Sequence, residues 1–260
     1  MPRFAANLSM LFNEHAFLDR FEAAAKAGFL GVEFLFPYAE DKAVLAEKLA
    51  ANGLTQVLFN LPPGNWDAGE RGIACLPDRV GEFQDGVGKA IDYARALGNR
   101  QVNCLSGIAP AGVPREQMLR TLVENLRFAA EKLKEVGILL IVEPINFYDM
   151  PGFFLNRSSE AVAIFDEVGS DNIKLQYDIY HMQRMEGELA ATIERLLPRI
   201  AHIQIADNPG RHEPGTGEIN YPFLFALLDR LGYPGWVSCE YRPKAGTLAG
   251  LGWMAGTSRV

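Results

Sequence analysis

Apolar runs of five to seven residues alternate with amphipathic stretches of helical period, eight times from one end of this chain to the other. The runs are 3–8 (RFAANL), 30–35 (LGVEFL), 55–60 (TQVLFN), 100–105 (RQVNCL), 137–143 (GILLIVE), 173–178 (IKLQYD), 201–206 (AHIQIA) and 236–240 (WVSCE). Helical stretches lie at 17–27, 40–52, 77–97, 114–135, 158–168, 186–197 and 222–231, with a further helical segment after 245. Several runs are apolar at successive positions, so both faces of their sheet need a cover. Strands joined through helices run parallel, and eight such units predict closure into a (β/α)8 TIM barrel. Gly137 and Gly232 sit just past predicted helices, where a left-handed residue ends the helix. Ser158 and Pro222 sit where helices should start. No linker, low-complexity segment or longer repeat interrupts the pattern, so residues 1–260 are expected to form one domain.

The composition excludes several function classes. A net charge of −7 without a Lys/Arg cluster leaves no electrostatic footprint for nucleic acid. Cys75, Cys104 and Cys239 are odd in number and lack a C-x-x-C spacing, which predicts free thiols in a reducing, cytoplasmic setting. The N-terminal stretch MPRFAANLSMLFNEH lacks a basic region followed by an apolar core, so no signal peptide is expected. No apolar run approaches the roughly 20 residues needed to cross a bilayer.

In a parallel barrel the loops after the strands build the active face. Four oxygen-bearing side chains fall at that end of strands five to eight: Glu143, Asp178, Gln204 and Glu240. Converging, three carboxylates and an amide oxygen would repel one another unless a cation sat between them. A set with neither Cys nor His is hard, suited to Mg2+ or Mn2+ rather than zinc. The bland alternative is that each acid caps a helix or faces solvent in its own loop. Strand parity puts His202 beneath Gln204 and Ser238 beneath Glu240, yet also turns Lys174 and Gln176 inward, which a bulge or a buried polar layer would resolve.

His181, three residues past Asp178, is placed to donate to a substrate or to serve as a further ligand, against the alternative of an exposed loop histidine. Glu33 lies inside the second strand, where an unpaired carboxylate is costly, so it is expected to pair with a basic group such as Arg3 or Lys174, the alternative being a contact with substrate. Asn7, Asn60 and Asn103, at or near strand ends, offer neutral donors at the same rim. The glycine-rich segment 210–221 could suit an anion, with Arg211 meeting a carboxylate, but an ordinary turn before Pro222 explains its glycines equally well. Loops 61–76 and 144–157 are unusually long, and the second carries Phe147, Tyr148, Phe153 and Phe154. Packing under the loop, a substrate lid or a homo-oligomer contact would each account for these aromatics.

With these strand ends in place, the chain resembles the xylose isomerase-like barrel superfamily over nearly its whole length. The segments VEPIN (142–146), YDIYH (177–181), HIQIAD (202–207), PGTGEINY (214–221) and CEYRP (239–243) are similar to the hydroxypyruvate isomerase family in particular. The resemblance implies that Glu143 and Glu240 transfer the proton as well as holding the metal, while Asp178 and Gln204 are ligands only. It implies a divalent cofactor, Mg2+ or Mn2+, and a short hydroxy-oxo acid as substrate. The implied reaction interconverts hydroxypyruvate and tartronate semialdehyde. A 2-oxo-tetronate isomerase, a ketose 3-epimerase and a dehydratase of polyol breakdown share such metal nests. A metal-dependent phosphodiesterase and a catalytically silent sugar-acid binder are the readings from other classes.

Overall fold

The computed structural model describes residues 2–255. Eight parallel strands close into a barrel in chain order: β1 (Arg3–Asn7), β2 (Gly31–Glu33), β3 (Thr55–Asn60), β4 (Gln101–Cys104), β5 (Leu139–Val142), β6 (Ile173–Asp178), β7 (Ile200–Ile205) and β8 (Trp236–Cys239), with β8 returning to pair with β1. The outer layer is α1 (Arg20–Lys26), α2 (Lys42–Ala51), α3 (Val80–Leu97), α4 (Arg115–Lys134), α5 (Ser158–Val168), α6 (Ile179–Met185), α7 (Leu189–Leu196) and α8 (Tyr221–Arg230). The (β/α)8 expectation holds.

Most expected elements end within two residues of their observed bounds. Two differences have clear causes. The expected helix at 186–197 is the shorter α7, and α6 arises where the sequence suggested a loop. Asp178 explains α6: its Oδ1 accepts from the backbone N–H groups of Tyr180 (2.8 Å) and His181 (3.3 Å), so the residue that ends β6 also caps a helix. The segment after 245 forms a short 3-10 helix at Ala249–Met254.

The main core lies between strands and helices. On α4, Leu122, Leu126, Ala129 and Leu133 follow helical spacing and are all buried in one cluster with Leu140 and Val142 of β5. Burying each such leucine contributes about 1.5–3 kcal/mol. No described helix is long and apolar enough to cross a membrane. Cys75, Cys104 and Cys239 are buried free thiols.

The barrel's interior is apolar at its base and polar above. Trp236 plugs the base, with the Arg3 guanidinium 4.8 Å from its ring centroid. Gly31 makes room for it: a Cβ there would lie 2.8 Å from Trp236 Cζ3 and 2.9 Å from Val57 Cγ2. The inward Gln176 is accommodated by a register shift between β6 and β7 at Leu175/Gln176 and by a polar partner in Gln204, while Lys174 is only half-buried. Of the two devices that would resolve the parity conflict, a break in register and a buried polar partner, both are present.

Candidate active site

The rim at the strand ends gathers Glu143, Asp178, Gln204 and Glu240, all buried. Asp178 closes β6 and Gln204 lies within β7, while Glu143 and Glu240 each stand one residue beyond their strands. Their state differs by side chain. Glu143 Oε1 and Asp178 Oδ2 are buried without a hydrogen-bond partner among the described residues. Buried carboxylate oxygens without partners are costly, which is the signature of a place meant for a ligand. Glu143, Asp178 and His181 each present a ligand-capable atom within 4.8 Å of the others. A cavity of about 10 Å³ is lined by Glu143, Gln204 and Glu240 together with Asn7, Glu33 and Asn60. That is the space of about one water or small ion.

Glu240 and Gln204 are already engaged. Glu240 Oε2 accepts from Asn7 Nδ2 (3.1 Å) and from Gln204 Nε2, and its Oε1 accepts from Arg211 Nη2 at 2.7 Å. Gln204 Nε2 also donates to Glu33 Oε1 (2.8 Å), and Gln204 Oε1 accepts from Gln176 Nε2 at 2.5 Å. Asn103 Nδ2 bridges Asn60 Oδ1 (3.0 Å) and Glu143 Oε2 (3.5 Å). Asn7 and Asn103 are therefore donors to the carboxylate network, whereas Asn60 enters it as an acceptor from Asn103.

Glu33 pairs with neither Arg3 nor Lys174. Its Oε2 lies 2.8 Å from His202 Nε2, and its Oε1 accepts from Asn7 and Gln204. Arg3 instead donates to the Pro234 carbonyl. The two partners named from sequence lie at the barrel's base, and the pair that forms spans 169 residues of chain.

The electrostatics follow from crowding acids in a dry place. Burial pushes Glu143 well above the usual carboxylate range, and the charges of Glu240 and Asp178 add to it. Burial likewise carries Glu240 up to about 8 and Asp178 to about 6, Arg211 opposing both rises. Burial also raises Glu33, but His202 and the hydrogen bonds from His202 and Gln204 outweigh it and leave Glu33 below its ordinary value. His181 is held well below its ordinary value by burial and by Arg211 and Arg184, so it is neutral. Burial lowers Arg211, and the surrounding carboxylates, Glu240 first, more than restore it.

His181 is not an exposed loop histidine. It lies in the first turn of α6, buried, with Nε2 3.6 Å from both Glu143 Oε1 and Asp178 Oδ2. Arg211 enters from the loop after β7. It has a left-handed backbone (φ 54°), and its side chain lies among Glu240, Asp178 and Asp149. The glycine-rich turn that delivers it binds an anion from its own chain. Asp207 Oδ2 accepts from the N–H groups of Gly215 and Gly217 (2.9 Å each), and Oδ1 from those of Asn208 and Ile219 (3.0 Å each).

Sequence reasoning assigned no role to Asp207, Asn146 or Asp149, and it saw Gln176 only as an inward-facing conflict of parity. Asn146 closes the VEPIN segment, the only local signal for it. Of the long loops, 61–76 and 144–157 contribute Trp66, Ile145, Met150 and Phe153 to an apolar cluster with Phe36 and Leu105, on loops that all follow strands. Phe154 is buried too, whereas Phe147 (43 % exposed) and Tyr148 (58 %) face outward.

Comparison with known proteins agrees with this fold and places the chain in a family. A sequence profile of the xylose isomerase-like TIM barrel family matches residues 21–257. The chain is 59 % identical over 254 residues to a hydroxypyruvate isomerase of Escherichia coli (strain K12), covering 98 % of each. It is 55 % identical over 254 residues to a 2-oxo-tetronate isomerase of Cupriavidus necator, again covering 98 % of each. A crystal structure described as an AP endonuclease, family 2, from Brucella melitensis superposes with a TM-score of 0.96 at 51 % identity, over 98 % of this chain and 99 % of that one. On this evidence the chain belongs to the hydroxypyruvate isomerase family of the xylose isomerase-like TIM barrels.

Proposed function

We propose that this protein is an aldose–ketose isomerase that interconverts hydroxypyruvate and tartronate semialdehyde by moving a proton between adjacent carbons. The observation that carries the reading is the pair of buried glutamates around a nest with partnerless carboxylate oxygens, Glu240 raised to about 8 and Glu143 well above the usual carboxylate range. A carboxyl group tuned upward works as both base and acid near neutral pH. The isomerase relatives support the reaction class.

The donor set fits a hard divalent cation, Mg2+ or Mn2+, held by Glu143, Asp178, Gln204 and Glu240. To hold a cation, Glu240 Oε1 would have to give up its bond from Arg211, and the Gln204 amide would have to turn its oxygen to the nest. Gln176 would turn with it, so that its Oε1, buried without a partner among the described residues, could accept from Gln204 Nε2. When bound, the cation acts as a Lewis acid on adjacent substrate oxygens, stabilising charge that develops there by several kcal/mol.

The chain's own groups do the rest. One glutamate takes a proton from C3 of hydroxypyruvate and the other returns one to C2, while the proton of the C3 hydroxyl passes to the C2 oxygen, leaving an aldehyde at C3 and a hydroxyl at C2. Such positioned transfer is worth about 10²–10⁴ in rate. His181 donates to a substrate oxygen. Arg211 has a buried Nε without a partner among the described residues, so its guanidinium retains a donor for the substrate carboxylate. Substrate length is proposed to be set by the loops that carry Trp66 and Met150, which pack in one apolar cluster with Phe36 and Leu105. The protein is proposed to act in the cytoplasm on a small molecule, without nucleic acid.

The 55 % identical relative favours a second substrate, a four-carbon 2-oxo-tetronate on the same machinery. The endonuclease description of the similar crystal structure would require a DNA substrate, against which stand a net charge of −7 and a nest with one imidazole among carboxylates. Proton NMR of purified protein with Mg2+ or Mn2+ against hydroxypyruvate, four-carbon 2-oxo acids, ketohexoses and abasic DNA separates these. Turnover of hydroxypyruvate ahead of the others is expected. Cleavage of DNA without sugar-acid turnover would overturn the assignment.

A further inference from the structure

Asn146 makes two bonds that fix which way its amide faces. Its Oδ1 accepts from the Asp149 backbone N–H at 2.9 Å, and its Nδ2 donates to Asp149 Oδ2 at 3.2 Å. Turning the amide over would set oxygen against a carboxylate oxygen and N–H against N–H, so Asp149 admits one orientation. Asp149 is itself anchored, accepting from Tyr180 Oη (2.9 Å) and Arg184 Nη1 (2.5 Å).

The same Asn146 Nδ2 lies 2.6 Å from His181 Nδ1. At that distance a donor must meet a lone pair, so Nδ1 is bare and the ring's one proton is on Nε2. On the other side, Nε2 faces the carboxylate oxygens Glu143 Oε1 and Asp178 Oδ2 at 3.6 Å each. Arg211 Nη2 is a competing donor toward Nε2, but it is 3.4 Å away and spends a shorter bond, 2.7 Å, on Glu240. Two acceptors and the tight Asn146 contact outweigh it.

We propose that Asn146 is a positioning residue that fixes His181 as an Nε2–H donor and thereby keeps this histidine out of the metal's coordination. A neutral imidazole binds a metal only through a bare nitrogen, and the bare nitrogen here points away from the nest, at Asn146. The three-residue group Glu143, Asp178 and His181 is close enough to chelate, yet the histidine presents a proton to the nest. The nest stays an oxygen-only site, and His181 is reserved for donation to substrate. The catalytic consequence rests on the isomerase reading; the tautomer and the metal selectivity do not.

The test begins with the wild-type protein in a chelator, using multiple-bond proton–nitrogen NMR of its imidazole rings, with His181→Gln to assign the resonances. The expected spectrum shows His181 with Nε2 protonated and Nδ1 bare. A ring protonated on Nδ1, or averaging between tautomers, overturns the proposal without reference to activity. The second arm is Asn146→Asp, which has the same shape but offers Nδ1 only acceptors. The tautomer should invert, exposing a bare Nε2 to the nest. Because the added charge strengthens binding of every cation, the readout is the ratio of Zn2+ to Mg2+ affinity by calorimetry. It should rise at least tenfold, with Co2+ gaining the absorption of a nitrogen-bearing site. A retained Nε2 proton or a smaller change in the ratio overturns the role assigned to Asn146. With hydroxypyruvate and Mg2+, the variant should lose about 10²-fold in kcat, as when a single donor to a developing charge is removed. If the wild-type protein turns over no sugar acid, the function falls while the tautomer stands.

Discussion

Loading the nest with metal should expel protons, and the structure says which carboxyls supply them. Ligands must be ionised to bind a cation, so each carboxyl held protonated by burial gives up its proton on binding. At pH 7, Glu240, raised to about 8, is about nine-tenths protonated, and Asp178, at about 6, about one-tenth. Burial and the charges of Glu240 and Asp178 raise Glu143 as well, which adds to the release. From Glu240 and Asp178 together, binding of Mn2+ should release about one proton at pH 7, rising toward about two at pH 5 and falling toward zero at pH 9. Calorimetry in buffers of different ionisation enthalpy counts them directly. The sign for stability follows from the same shifts. Carboxyls raised by folding stabilise the fold fully below their unfolded values near 4, and that contribution is lost as pH climbs through about 6 and then about 8. Without metal, Tm should fall from about pH 4.5 to 8, and saturating Mn2+ should recover most of the loss. Heats that do not vary with buffer, together with a flat metal-free Tm over that window, would refute the claim that the nest is held protonated.

Three further outcomes are expected. Gly31→Ala should destabilise the barrel by about 1–3 kcal/mol in urea unfolding, because the new methyl meets Trp236 and Val57 in a base that is already full; an unchanged midpoint would show that the plug can shift. Asp207→Ala strips four backbone N–H groups of their acceptor, so activity should fall more than tenfold through loss of Arg211's placement, read as a larger rise in KM for hydroxypyruvate than for an uncharged ketose. The outward Phe147 and Tyr148, rings 4.4 Å apart, predict self-association: sedimentation should give a mass above 28.7 kDa that Tyr148→Asp reduces, whereas a monomer at high micromolar concentration would refute it.

The barrel was legible because its pattern is local. Runs such as GILLIVE and IKLQYD carry their own ends, and the acids that stop them mark the rim without knowledge of any neighbour. What escaped depends on contacts across the chain. Nothing near Glu33 announces His202, and nothing near Arg211 says that Asp207 would use up the amides of the glycine turn. His181 looked like a loop residue because Asp178 reads as a strand end, and only the folded backbone shows the same carboxylate capping α6. Gln176 was recognised as a conflict of parity, but its meaning, a partner for the Gln204 amide, needed the register shift to be seen.

The central claim is that Glu143 and Glu240 move the proton while Asp178 only helps to hold the metal. Activity on hydroxypyruvate at saturating Mn2+, compared among Glu143→Gln, Glu240→Gln and Asp178→Asn, tests it most directly. The account predicts that Asp178→Asn, weakened only in metal affinity, recovers in part, while both glutamate variants stay at least 10²-fold below wild type because no added cation replaces a proton carrier. If the glutamate variants recover as fully as Asp178→Asn, the two glutamates are ligands only, and the proton passes through another group, with His181 the nearest.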